Sequence, residues 1–78
     1  MKRLFLLTHY SGLHNSSDTC IIEVGKKYRR KYGNWDIVEN IDENTCEFLL
    51  TRWRLFEIKE LGDNIIEIIK EIKSEKDL

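Results

Sequence analysis

The sequence contains no alanine, no proline and no glutamine. Alanine and proline need GC-rich codons. Ile, Lys, Glu and Asn together fill 32 of the 78 positions, a bias typical of an AT-rich coding sequence. Phages and other mobile elements often carry compact proteins of this kind, and the bias says nothing about fold. Cysteine is scarce as well: only Cys20 and Cys46, 26 positions apart, with no CxxC. That excludes a disulfide framework and the paired-ligand spacing of a structural zinc site. His9, His14, Cys20 and Cys46 match no metal-ligand pattern, so neither metal nor cofactor is expected. Long apolar runs are missing too. The run from Leu4 to Leu7 breaks off at Thr8-His9-Tyr10, short of the roughly 7–15 residues of a signal-peptide core. Nothing approaches the roughly 18 apolar residues of a membrane helix, so a cytoplasmic protein with no membrane partner is expected.

What remains is a chain of 78 residues with 13 Lys+Arg against 14 Asp+Glu. Its 41% apolar content is too high for a disordered charged tail. The length suits a single small globular domain over 1–78, without repeats or linkers. A chain this short buries only about 60% of its unfolded surface, so a second copy or a partner would help its stability.

Arg3–Thr8 is short, apolar and followed by turn residues, as in a buried strand. Residues 19–32 are ambiguous. Thr19, Ile21, Ile22 and Val24 favour a strand. Ile21, Val24, Tyr28 and Tyr32 instead share one helical face, with Ser17 or Asp18 as cap and Gly33 as the left-handed stop. Start, stripe and stop together favour a helix, although Gly25 costs such a helix about 1 kcal/mol. Trp35–Glu39 reads as a second strand. Asn44 and Glu47 have capping-box spacing, and Cys46, Leu49, Leu50, Trp53 and Phe56 follow at helical intervals, ended by Gly62. Asn64 and Glu67 repeat the box ahead of a stripe of Ile65, Ile68, Ile69 and Ile72. The expected fold is therefore α+β: strand-helix-strand followed by two helices. The alternative turns residues 19–25 and 51–58 into strands, giving a small antiparallel sheet with one C-terminal helix.

Three segments carry candidate sites. Lys26, Lys27, Arg29, Arg30 and Lys31 crowd five cations into six positions. Such a run can neutralise phosphates or an acidic protein, or simply be the solvated side of an amphipathic helix. Residues 10–17 form a loop whose Ser11, Gly12, Asn15 and Ser16 suit a phosphate held by backbone N–H groups at a helix start. Phe48 and Leu55 fall on the side of the third element opposite its core stripe, which points either to an apolar interface or to burial under the last helix. Charge is lopsided: residues 1–33 carry a net +5 and residues 34–78 a net −6. No catalytic constellation is oriented, so an enzyme is not expected. The sequence points to a small non-enzymatic regulatory or inhibitor protein that binds a protein target. Nucleic acid gripped by residues 26–31, phosphate or nucleotide held by the 10–17 loop, and a homodimer are the alternatives.

Overall fold

The structure, a computed structural model, describes residues 2–9, 22–29 and 36–78. These residues build one five-stranded, wholly antiparallel sheet with a single α-helix and a terminal 3-10 turn. The strands are β1 (Leu4–His9), β2 (Lys27–Arg29), β3 (Asp36–Glu39), β4 (Trp53–Gly62) and β5 (Ile65–Ile72), in the spatial order β2-β5-β4-β1-β3. The helix α1 (Glu43–Leu50) joins β3 to β4, and the 3-10 turn spans Glu75–Asp77.

This architecture overturns the strand-helix-strand-helix-helix expectation. The alternative comes nearer with its antiparallel sheet, but its C-terminal helix is also a strand. Each correction has a local cause. The helix expected through Tyr28 is interrupted at Gly25, whose φ of 86° lies outside helical space. Gly25 N–H donates to the Ile68 carbonyl (2.8 Å), and Ile68 N–H donates to the Lys26 carbonyl (3.0 Å), laying this segment along β5. From there the exposure alternates with period two: Lys27 out, Tyr28 half-buried, Arg29 out. Residues 10–21 and 30–35, including the proposed cap at Ser17 or Asp18 and the stop at Gly33, lie outside the described residues.

The third element is shorter than its apolar stripe suggested. Asp42, not Asn44, caps α1: its Oδ1 accepts from Asn44 N–H (2.7 Å) and Thr45 N–H (3.1 Å). Cys46, Leu49 and Leu50 do form its inner stripe, but the chain turns at Thr51-Arg52. Trp53 to Ile58 then run as strand, with Leu55 and Phe56 sent to opposite faces.

The last expected helix is β5. Gly62 and Ile65 are register partners, so Asp63 and Asn64 make a two-residue hairpin loop. Both have positive φ, 51° and 63°, the type I′ geometry that matches strand twist. Gly62 itself has φ 96°. What resembled a helix stop followed by a helix cap is thus one tight turn. The β-branched isoleucines of 65–72 suit a strand. A bulge permits the helix-like spacing: Lys70 pairs with Glu57 and Ile68 with Ile58, leaving Ile69 as the extra residue.

The sheet is apolar on both faces. Leu6, Phe56, Ile58, Ile66 and Ile68 form one core, with Ile22, Leu4, Tyr28 and Ile37 packed against it. Phe5, Leu7, Leu55 and Ile72 form the other, roofed by Cys46, Leu49 and Leu50 of α1 and flanked by Ile41, Trp53 and Leu78. Arg3 closes the edge of the second core. Its Nε and Nη2 donate to the two Glu57 carboxylate oxygens (3.0 and 2.8 Å), and its guanidinium carbon lies 5.2 Å from the centre of the Phe5 ring.

Candidate functional site

Among the described residues, α1 covers only half of the helix-bearing face. The roof of α1 sits over Phe5, Leu7, Leu55 and Ile72. Beyond Glu57 no described helix lies over the sheet, and its register sorts the charges there. Lys27 of β2 stands opposite Glu67 of β5, which stands opposite Lys59 of β4. Arg29, two residues along β2 from Lys27, stands opposite Ile65. Lys70 stands opposite Glu57, which places it on the Phe5 side of the sheet. Side chains directly opposite each other, or two apart along a strand, share a face. Lys27, Arg29, Lys59 and Lys70 therefore project from one surface together with Glu67, and Lys70 also faces Glu57, which Arg3 holds. Lys27, Arg29 and Lys59 are exposed, and the bulge residue Ile69 of β5 is 43% exposed.

Phe48 is 59% exposed, the most exposed large hydrophobic side chain among the described residues. It lies opposite the Cys46-Leu49-Leu50 stripe on the helical wheel. The Arg52 guanidinium carbon stands 5.2 Å from the centre of its ring, a cation–π contact that leaves part of the aromatic face open. Glu47, exposed, precedes Phe48 in the helix, and exposed Asp42 and Glu43 stand at the helix start. The outer side of α1 thus sets Arg52 against an exposed aromatic ring, with acidic side chains toward its start, and the sheet beyond Glu57 is mainly basic on this face.

The residues singled out from sequence are distributed unevenly over this face. Lys27 and Arg29 are on it; Lys26 is exposed in the turn ahead of β2; Arg30 and Lys31 lie outside the described residues. Tyr28, expected to stand on the core side of a helix, is half-buried on the far face of the sheet, and its hydroxyl accepts from Glu23 N–H (2.9 Å). Phe48 is at the surface as anticipated for an interface, but Leu55 is not: it is 0% exposed, part of β4 and sealed in the core, so its pairing with Phe48 is withdrawn. Ser11, Gly12, Asn15 and Ser16 lie outside the described residues, as do His14 and Cys20. Lys59 and Lys70 were missed, as was Arg52 in the turn beside Phe48. The two lysines join the face only through strand register, and the alternation that would have found them was read as helical spacing.

The remaining chemistry is already engaged. Cys46 is fully buried, and burial, reinforced by the charges of Glu47, Glu75 and Asp77, pushes its thiol pKa up, away from a reactive thiolate. Among the described residues no group of three His, Cys, Asp or Glu is placed to hold a metal. A cavity of about 480 Å³ at the start of α1 is lined by Arg3, Ile41, Asp42, Glu43, Asn44 and Leu78. Its two best anion- and cation-binding groups are committed, Asp42 to the helix cap and Arg3 to Glu57. No helix among the described residues is long and apolar enough to cross a membrane. No family model, curated protein or solved structure matches the chain.

Proposed function

We propose that this is a small non-enzymatic regulator or inhibitor that acts in the cytoplasm by binding protein, with the helix-bearing side of the sheet as its contact surface. The observation that carries this reading is Phe48, 59% exposed and held outward on α1, on the side of the sheet from which Lys27, Arg29, Lys59 and Lys70 also project. Aromatic and arginine side chains near the centre of a contact supply most of its binding energy, and surrounding charges set orientation and association rate. Such a protein works by occlusion and needs no titrating catalytic group.

The test is a photo-crosslinking aromatic amino acid placed at position 48 in producing cells, with the same residue at Asp63 in the hairpin loop as control. A protein adduct at 48, absent at 63 and lost when Arg29 and Lys59 are reversed to Glu, supports the reading. No protein adduct at 48 contradicts it. A second reading, nucleic acid bound through Lys26, Lys27 and Arg29, is favoured by the single sign of the strip. It lacks an aromatic platform on that surface, because Tyr28 packs on the far face. Its signature is affinity that falls steeply with salt.

A further inference from the structure

We propose that residues 73–78 form a hinged strap beside the inner side of α1, which opens as a unit while the sheet stays folded and so controls access to the buried Cys46 thiol. The proposal is independent of the protein-contact reading above.

The first argument is how the strap is held together. β5 ends at Ile72, and the chain then folds into the 3-10 turn Glu75–Asp77, which touches both β5 and α1. Asp77 Oδ2 accepts from Lys73 N–H (2.7 Å) and Ser74 N–H (3.1 Å), and Ser74 Oγ accepts from Lys76 N–H (3.2 Å), a capping box. The bond from Lys73 N–H, then that from Ser74 N–H with the charges of Lys70 and Lys73, keeps the Asp77 carboxyl below its ordinary pKa against the opposing effect of burial. It is therefore an ionised acceptor at neutral pH. These hydrogen bonds all lie within residues 73–78, so the strap keeps its shape whether it is closed or open.

The second argument is how little ties the strap to the rest. Sheet pairing stops at Ile72, opposite Leu55. Among the described residues, the hydrogen bond that holds the strap to the body runs from Arg3 Nη1 to the Leu78 carbonyl (3.2 Å), and its apolar anchor is half-buried Leu78, packed on the core cluster that contains Cys46. A short segment with few outward contacts and exposed backbone hydrogen bonds belongs to the low end of local stability.

The third argument is what lies beside it. Cys46 is 0% exposed although α1 has only eight residues. After burial, three charges raise its thiol pKa, those of Glu47, Glu75 and Asp77, and two of them belong to the strap. Closed, the strap keeps the thiol covered and protonated. Open, it admits solvent and takes its two carboxylates away, so exposure and thiolate formation rise together.

The experiment uses a Cys20→Ser protein, in which Cys46 is the only thiol. An aromatic disulfide reagent, which releases a coloured thiolate as it forms a mixed disulfide with the protein, times the modification of Cys46 at urea concentrations below the unfolding transition. Opening of the strap exposes little surface, so the rate should hardly change with urea. Leu78→Ser should raise it about tenfold, the worth of roughly half a leucine side chain. Asn64→Val, at the opposite end of β5, should lower global stability and leave the rate unchanged. A rate that climbs with urea as steeply as global unfolding, no acceleration in Leu78→Ser, or acceleration in Asn64→Val that matches its loss of stability would each overturn the proposal. The urea series needs no strap variant, so it decides the matter even if Leu78→Ser does not fold.

Discussion

Arg3 and Glu57 form the best-made charged contact among the described residues, a two-bond fork at the edge of the part of the sheet that α1 roofs. Arg3 also donates from Nη1 to the Leu78 carbonyl (3.2 Å), so one side chain ties β1 to β4 and to the end of the described chain. The hydrogen bonds from Arg3 hold the Glu57 carboxyl below its ordinary pKa; partial burial opposes this, and the charges of Arg3 and Lys70 assist it. A lowered carboxylate pKa stabilises the fold fully above the ordinary range, near about 4.3, and that contribution is lost as pH falls through the lowered value. Glu57→Gln should therefore be less stable than the wild type at neutral pH, and the difference should shrink towards strongly acid pH. Urea midpoints measured for both proteins across that range check it. A difference that does not change with pH would mean the fork adds nothing through its charge. Lys2 and Glu39, 3.5 Å apart and both well exposed, should show no comparable effect.

At the scale of elements, the β4–β5 hairpin is the unit on which the fold depends. β5 lies between β2 and β4, and β4 between β5 and β1, so an error in this turn displaces the register of every row that assembles the basic strip. Asp63 and Asn64 both occupy left-handed space, which costs a branched side chain about 1–2 kcal/mol per residue. Asn64→Val is expected to lose about that much stability, whereas Asn64→Gly should be neutral or stabilising, because Asn, Asp and Gly are the residues type I′ turns accept. Thermal or urea unfolding of the two variants distinguishes them. Equal destabilisation by both would place the turn elsewhere. The same hairpin shows why much of the fold was hidden in the sequence. Leu4–His9 and Asp36–Glu39 were legible because short apolar or alternating runs between turn residues have few other readings. The Cys46-Leu49-Leu50 stripe was legible as helix for its one true stretch. Beyond it, Trp53, Leu55, Phe56 and Ile58 bury both faces of a strand, so no clean alternation survives. In β5 the bulge at Ile69 shifts the phase by one residue and reproduces the i, i+3, i+4 spacing of a helix. Gly62-Asp63-Asn64 supplied residues that serve equally as helix stop, helix cap or hairpin loop. Phe48 was singled out as lying off the core stripe through a helical pattern that extended too far, and Leu55 was added to it by the same error.

The whole molecule joins a basic strip to an acidic helix on one side of its sheet, although the chain's net charge is only −1. Among the described residues the imbalance between residues 1–33 and residues 34–78 is not spread as two opposite poles: Lys59 and Lys70 come from the acidic half and join Lys27 and Arg29 on one face of the sheet. The most direct measurement places a nitroxide spin label on an isotopically labelled Asn44→Cys, Cys20→Ser variant, at the start of α1 where Asn44 shares a pocket with Arg3 and Leu78. The sample is diluted into unlabelled protein, so that only broadening within one copy is observed. The account, with α1 roofing one half of a single antiparallel sheet, predicts strong broadening of the amides of Arg3 and Leu78 and much weaker broadening at Asp63 and Asn64 in the hairpin loop. Equal broadening at the loop, or none at Arg3 and Leu78, would contradict it.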